Sequence, residues 1–90
     1  MSTVKFPLGE IYATKGVINS IGRQEMTDAL LRHASGDWGD VDDEDKQAND
    51  NALAYGGRLL SAYTSSDGIR FWIITEADRS YTTVLLPEEY

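Results

Sequence analysis

The fold is decided by two apolar runs in the last third of the chain, Arg58-Leu-Leu-Ser-Ala-Tyr63 and Ile69-Arg-Phe-Trp-Ile-Ile-Thr75. They are separated by Thr64-Ser-Ser-Asp-Gly68, whose Asp-Gly dipeptide favours a hairpin turn. A third run, Tyr81-Thr-Thr-Val-Leu-Leu86, follows the short polar turn Glu76-Ala-Asp-Arg-Ser80 and ends at a proline. This pattern predicts three consecutive antiparallel strands.

Both faces of the predicted middle strand carry apolar side chains. Alternation places Phe71 and Ile73 on one face, and Trp72 and Ile74 on the other. Since both faces are apolar, we expect helices on the first face. The N-terminal segment or another subunit is expected to cover part of the second.

The first half of the chain predicts one strand and three helices. Pro7 and Gly9 weaken the strand, so we expect an edge position or a bulge there. Thr14 and Asp40 are the predicted N-caps of the first and third helices. On the third helix we expect Val41, Ala48, Ala52 and Tyr55 to face inward, with Asp45 intruding. The predicted ranges are 5–13 for the strand and 15–21, 23–35 and 41–54 for the helices.

These elements predict a single α+β domain over residues 1–90. The predicted order is β-α-α-α-β-β-β, with an antiparallel sheet and the helices packed on one face. Ninety residues leave no room for a second core.

Composition restricts the compartment and the class of partner. The chain has no cysteine, no long apolar run and no signal-peptide core, so we expect a cytoplasmic protein. Fifteen acidic residues against eight basic ones give a net charge of −7. This charge argues against direct nucleic-acid binding, which relies on Lys and Arg, but it suits a basic protein partner. The simpler alternative is that the charge only serves solubility.

The acidic residues concentrate between positions 37 and 50, where seven acids accompany one base. A calcium loop starting at Asp40 would need Gly at its sixth position and Glu at its twelfth, but the chain has Asp45 and Asn51 there. The segment therefore reads either as a solvated helix face or as a surface that docks a protein partner. The candidate partner-binding residues are Asp37, Trp38, Asp40, Asp42, Asp43 and Glu44. Trp38 could equally be a core anchor.

A second candidate site combines the polar turn before the last strand with the only histidine. Polar groups on a loop that a rigid scaffold holds are a common location of function. One His without Cys argues against a zinc site, and no phosphate loop or nucleophile elbow is present. We therefore predict no metal and no cofactor. The residues of this alternative pocket are His33, Thr75, Glu76, Asp78 and Arg79.

Several stretches resemble a family of short bacterial proteins found on mobile elements. They are Gly36-Asp-Trp-Gly39, Asp45-Lys-Gln-Ala-Asn49, Arg58-Leu-Leu-Ser-Ala-Tyr63, Ile74-Thr-Glu-Ala-Asp-Arg-Ser80 and Leu85-Leu-Pro-Glu-Glu-Tyr90. Members of that family are called plasmid-related, and some are labelled type I restriction–modification subunits. This chain departs from the family at Lys15, where the family has proline. The resemblance covers nearly the whole chain but implies no established activity.

The methylase label does not suit this chain, because ninety residues without a glycine-rich loop cannot form the usual cofactor-binding fold. The mobile-element setting instead suggests an inhibitor of host defence, of the anti-restriction or anti-CRISPR type. The preferred hypothesis is thus a non-catalytic acidic interaction protein. The alternatives are a small enzyme or ligand-binding module using the Glu76–Ser80 turn with His33, and a homodimer joined through the second face of the sheet.

Overall fold

The computed structural model describes residues 4–90 and contains the predicted elements in the predicted order. The α+β class is therefore confirmed. The strands and helices are β1 (Glu10–Ala13), α1 (Lys15–Ser20), α2 (Arg23–Ala34), α3 (Asp43–Tyr55), β2 (Leu59–Thr64), β3 (Arg70–Thr75) and β4 (Tyr81–Leu85), followed by a 3-10 turn at Pro87–Glu89.

The four strands form one sheet in the order β1-β4-β3-β2. The β2–β3 and β3–β4 pairs are antiparallel, as predicted, but β1 pairs with β4 in parallel. The expectation of a wholly antiparallel sheet is therefore wrong at this one pair. The helical connection after β1 is long enough to return the chain to the end of the sheet where β1 starts, so β2 runs in the same direction as β1. The two following turns each reverse the chain, so β4 also runs parallel to β1.

The first strand is shorter than predicted, because its expected N-terminal half packs into the core. Phe6 is buried, and its ring lies 5.2 Å from that of His33 and 6.1 Å from that of Trp38. Gly9 then adopts a φ of +67°, and a Cβ there would lie 2.3 Å from the carbonyl oxygen of Ser80. Only glycine allows this close approach, so pairing with β4 begins at Glu10.

The helices cover one face of the sheet, as predicted. Val17 of α1, Ile21 directly after that helix and Ala29 of α2 pack against the inward side chains of the strands. A second cluster lies beside α3 and is formed by Phe6, Trp38, Ala52 and Leu59. The sheet residues in the first cluster are Tyr63, Phe71, Ile73 and Val84.

The third helix differs from the prediction in its start and in its buried face. Its N-cap is Asp42 rather than Asp40, because the Asp42 carboxylate accepts the N–H of Asp45 at 2.8 Å. Ala48 and Tyr55 are exposed, Tyr55 at 88%. Asn49 is buried instead, because this side of the helix meets the backbone edge of β2 and must supply hydrogen bonds there.

The second face of the sheet is covered in part by the C-terminal turn rather than by the N-terminal segment. Ile74 and Leu85 are buried on this face, and Trp72 is half-buried. The ring of Tyr90 packs edge-on against Trp72, with 5.8 Å between ring centroids. The chain itself thus supplies some of the cover that the apolar pattern required.

Candidate functional site

The only histidine lies inside a chain of hydrogen bonds that joins α2 to three strands. His33 is fully buried, and its Nδ1 and Nε2 atoms lie 2.5 Å from Ser61 Oγ and 2.9 Å from Thr75 Oγ1. Thr75 Oγ1 is 2.7 Å from Thr82 Oγ1, which donates to the backbone carbonyl of Leu8 at 2.7 Å. Five residues that are distant in sequence are therefore linked by one continuous polar path.

The carbonyl at the end of this path fixes the direction of every proton in it. Because the Leu8 carbonyl can only accept, the hydroxyl proton of Thr82 is used there, and Thr75 must donate to Thr82. His33 Nε2 must then donate to Thr75, so Nδ1 of the neutral ring accepts from Ser61. The neutral Nε2–H tautomer satisfies all four hydrogen bonds.

Burial, and to a smaller extent the positive charge of Arg79, together lower the pKa of His33 to about 4. The imidazole is therefore neutral near pH 7. Since Ser61, Thr75 and Thr82 are also fully buried, no substrate can reach this group in the folded state. The geometry is that of a satisfied core histidine.

The turn before β4 holds Arg79 in a structural role. Arg79 has a φ of +62°, and its guanidinium donates to the carbonyls of Gly57 at 2.6 Å and Ala52 at 3.0 Å. It also donates to the turn carbonyls of Glu76 and Ala77. Its donors are thus directed at backbone carbonyls, including one in the last turn of α3.

The two carboxylates of the same turn point elsewhere. Glu76 lies 3.4 Å from Arg58 in an ion pair, and Asp78 accepts from the hydroxyl of Ser80 at 2.6 Å, which lowers the pKa of Asp78. A shallow surface depression here is lined by Glu76, Ala77, Asp78, Ser80 and Tyr81.

The residues of the predicted alternative pocket therefore do not share one cavity. His33 and Thr75 hydrogen-bond each other inside the core, Glu76 and Asp78 lie at the surface depression, and Arg79 is bound to backbone carbonyls. Thr75 and Glu76 are neighbours in the chain, but Thr75 is buried at the end of β3, whereas Glu76 and Asp78 follow the strand and lie at the surface.

Of the predicted partner-binding residues, Trp38 proves to be a core anchor. Its side chain is 5% exposed, stacks on Phe6 and donates from Nε1 to Asp50 at 3.3 Å. It is therefore not available to a docking partner. Asp37 is exposed but pairs with Arg32 at 2.8 Å, and this guanidinium lowers the pKa of Asp37.

The remaining acidic candidates form an exposed surface at the start of α3. Asp40 accepts from the hydroxyl of Thr64 at 3.1 Å, and Asp42 is the N-cap. Asp43 and Glu44 make no side-chain hydrogen bond to any residue between 4 and 90. Within residues 4–90 the ion pairs are Arg32–Asp37 and Arg58–Glu76. No carboxylate of α3 is therefore neutralised by an ion pair with a described residue.

Sequence reasoning missed two residues that position these surfaces. Asn49 donates to the carbonyl of Leu60 and accepts from its N–H. The signal available in the sequence was its position three residues before Ala52, which places it near the predicted inward face of the third helix. Glu89 accepts from the Thr14 hydroxyl at 2.5 Å and from the Gly16 N–H at 3.2 Å, which lowers its pKa. No local pattern indicates the contacts of Glu89 with Thr14 and Gly16, because these residues are more than seventy positions from Glu89.

No group of three or more His, Asp or Glu side chains in residues 4–90 is arranged to hold a metal ion. Among these residues, no helix has the length and apolarity needed to cross a membrane. Comparisons with protein-family models, curated proteins and solved structures find no match to this chain. The family resemblance of the sequence therefore stays a prediction.

Proposed function

We propose that this chain is a non-catalytic interaction protein that docks on a basic protein surface through the acidic start of α3. The observation that supports this most strongly is the uncompensated charge there. Of the seven acidic side chains between positions 37 and 50, only Asp37 is in an ion pair within the described residues. A cluster of exposed negative charges creates an electrostatic field that accelerates association with a positively charged partner.

The local structure allows the carboxylates to cluster without a large cost to the fold. Asp43, Glu44 and Asp45 lie in the first turn of α3, where the helix dipole stabilises negative charge. The surface therefore consists of exposed acids at the start of a capped helix.

The buried histidine supports a non-catalytic role. His33 is the only side chain whose ordinary pKa lies near neutrality, and it is enclosed and neutral. The resemblance to mobile-element proteins extends the proposal to a partner class: a host complex that processes nucleic acid or acts in defence, inhibited by occupation of its basic surface. Such a partner, and the absence of cysteine, suit the cytoplasm.

The test is capture of partners from bacterial lysate with a charge-reversed variant and a matched control. The variant is Asp43→Lys with Glu44→Lys, and Asp42 is left intact because it caps α3. The control is Asp67→Lys with Glu88→Lys, which changes net charge equally at two exposed acids outside α3. We expect the variant to weaken capture of a stoichiometric partner about tenfold, and the control to retain it.

The proposal also predicts that capture decreases as salt is raised, because exposed charges are screened. Equal capture by the wild type and the Asp43/Glu44 variant would contradict docking through α3. Equal loss in both variants would show a nonspecific effect of net charge. Circular dichroism of each variant establishes that the fold is retained.

A further inference from the structure

The two edges of the sheet are treated differently by the chain. At the β2 edge, the Asn49 side chain bonds the N–H and C=O of Leu60 at 3.0 and 2.8 Å. The N–H of Ala62 donates to the backbone carbonyl of Trp38, and the C=O of Ala62 accepts from the backbone N–H of Asp40. The outward backbone groups of Leu60 and Ala62 are thus occupied, which disfavours pairing of another strand there.

The β1 edge has no such cover from residues 4–90. The N–H of Glu10 donates to the carbonyl of Ser80, just before β4, and the N–H of Thr14 donates to that of Val84 in β4, at 3.0 Å each. By strand alternation, the N–H and C=O groups of Ile11 and Ala13 point away from β4. Within the described residues nothing bonds to them, so this edge offers two donors and two acceptors to another strand.

The side chains beside this edge are apolar and accessible on both faces. Ile11 and Tyr12 are each 51% exposed. Ile11 lies on the helix side, with Ala13, and Tyr12 lies on the other side, where its ring contacts Tyr81 at a centroid distance of 5.7 Å. Neither lysine nor proline occurs within β1 to disfavour pairing.

We propose that β1 pairs antiparallel with β1 of a second copy and joins the two sheets into one of eight strands. The favoured register places Tyr12 opposite Tyr12 of the second copy. Ile11 then lies opposite Ala13 in both halves, and the outward backbone groups of these two residues form four hydrogen bonds. Glu10 faces Thr14 rather than another carboxylate, so no like charges are opposed.

Charge at this edge does not oppose a second copy despite the net charge of −7. Residues 10–22 contain one acid and one base, Glu10 and Lys15, so the segment that meets its own copy is neutral. The acidic α3 contacts β2, at the opposite end of the sheet. In the eight-stranded sheet the two β2 strands would lie about 34 Å apart, several Debye lengths at physiological salt. This inference does not depend on the function proposed for α3.

The test measures self-association and amide exchange of the full chain. Sedimentation velocity from low micromolar to millimolar concentration should show a reversible monomer–dimer equilibrium. Amide hydrogen exchange at Ile11 and Ala13 should slow as concentration rises, because those N–H groups become bonded only in the dimer. This readout needs no variant and identifies the surface.

Ile11→Lys and Leu31→Lys provide matched variants. Leu31 is 49% exposed on α2, so the two substitutions change similar residues by the same charge. Ile11→Lys should raise the dissociation constant about tenfold or more, since it places two lysines diagonally across the pair, about 7–8 Å apart. Leu31→Lys should change it less than about twofold.

Three outcomes would overturn this pairing. A monomer at all concentrations would contradict pairing between two copies, and an extended segment of another protein would become the candidate partner of this edge. A dimer without protection at Ile11 and Ala13 would use another surface, such as the second face of the sheet. Equal weakening by both lysine variants would reduce the association to a nonspecific charge effect.

Discussion

The buried histidine makes the stability of this protein depend on pH. His33 is neutral in the folded state and has a pKa of about 4, against 6.5 when exposed. As the pH falls below 6.5 the unfolded chain gains a proton that the folded chain does not. The stabilisation is therefore complete above the unfolded pKa and is lost progressively toward the folded pKa.

The magnitude follows from these two pKa values. The full difference corresponds to about 3 kcal/mol of unfolding free energy. Between about pH 7 and about pH 5 the loss is about 2 kcal/mol, with a limiting slope of about 1.4 kcal/mol per pH unit. Asp37, Asp78 and Glu89 have pKa values below their ordinary ones, so their linkage falls at lower pH and does not disturb this window.

The measurement is urea unfolding at a series of pH values for the wild type and for His33→Gln. Glutamine retains a donor and an acceptor but does not titrate, so its unfolding free energy should change with pH by much less over the same range. At about pH 7 the variant should already be about 1–3 kcal/mol less stable, because glutamine cannot reproduce both bonds to Ser61 and Thr75.

A parallel slope in the two proteins between about pH 7 and about pH 5 would refute this linkage. A second readout covers the case in which His33→Gln does not fold. The ring protons of His33 in the folded wild type should show no titration in this range by NMR. A native midpoint near the ordinary value of 6.5 would contradict the effect of burial on the pKa of His33.

Two further substitutions test the contacts that hold β2 and the turn before β4. Asn49→Ala should lower the unfolding free energy by about 2–3 kcal/mol, because both backbone groups of Leu60 lose their partner; Asn51→Ala, on the exposed side of the same helix, should change it by less than about 0.5 kcal/mol. Arg79→Lys should cost about 2 kcal/mol by thermal unfolding, because an ammonium cannot reach the carbonyls of Gly57 and Ala52 together, and the exposed Arg70→Lys is its control. Similar stability of each variant and its control would show that these hydrogen bonds contribute little.

Local sequence signals determined most of the elements. Alternating apolar residues and the Asp67-Gly68 turn predicted β2 and β3, and Thr14 capped α1 as expected. These signals act over a few residues and depend on backbone geometry, so they can be read without knowledge of the fold. The predicted end of the third helix at residue 54 lies one residue from the observed end at Tyr55 for the same reason.

The candidate sites were less accessible to sequence reasoning. The acids of α3 were identified and are exposed, but Trp38 belongs to the core, and the pocket around His33 does not exist as one cavity. An aromatic residue or a histidine can serve a core or a surface equally well, and only its three-dimensional neighbours decide which.

By itself, the sequence determined the α+β class, the order of the elements and the concentration of negative charge before and within α3. Periodicity, caps and turns are local, and charge is a property of composition. Only the tertiary structure decided that β1 runs parallel to β4, that Asn49 closes one edge while Ile11 and Ala13 leave the other open, and that His33 is neutral. Each of these depends on groups that are distant along the chain, and burial then fixes their hydrogen bonds and protonation.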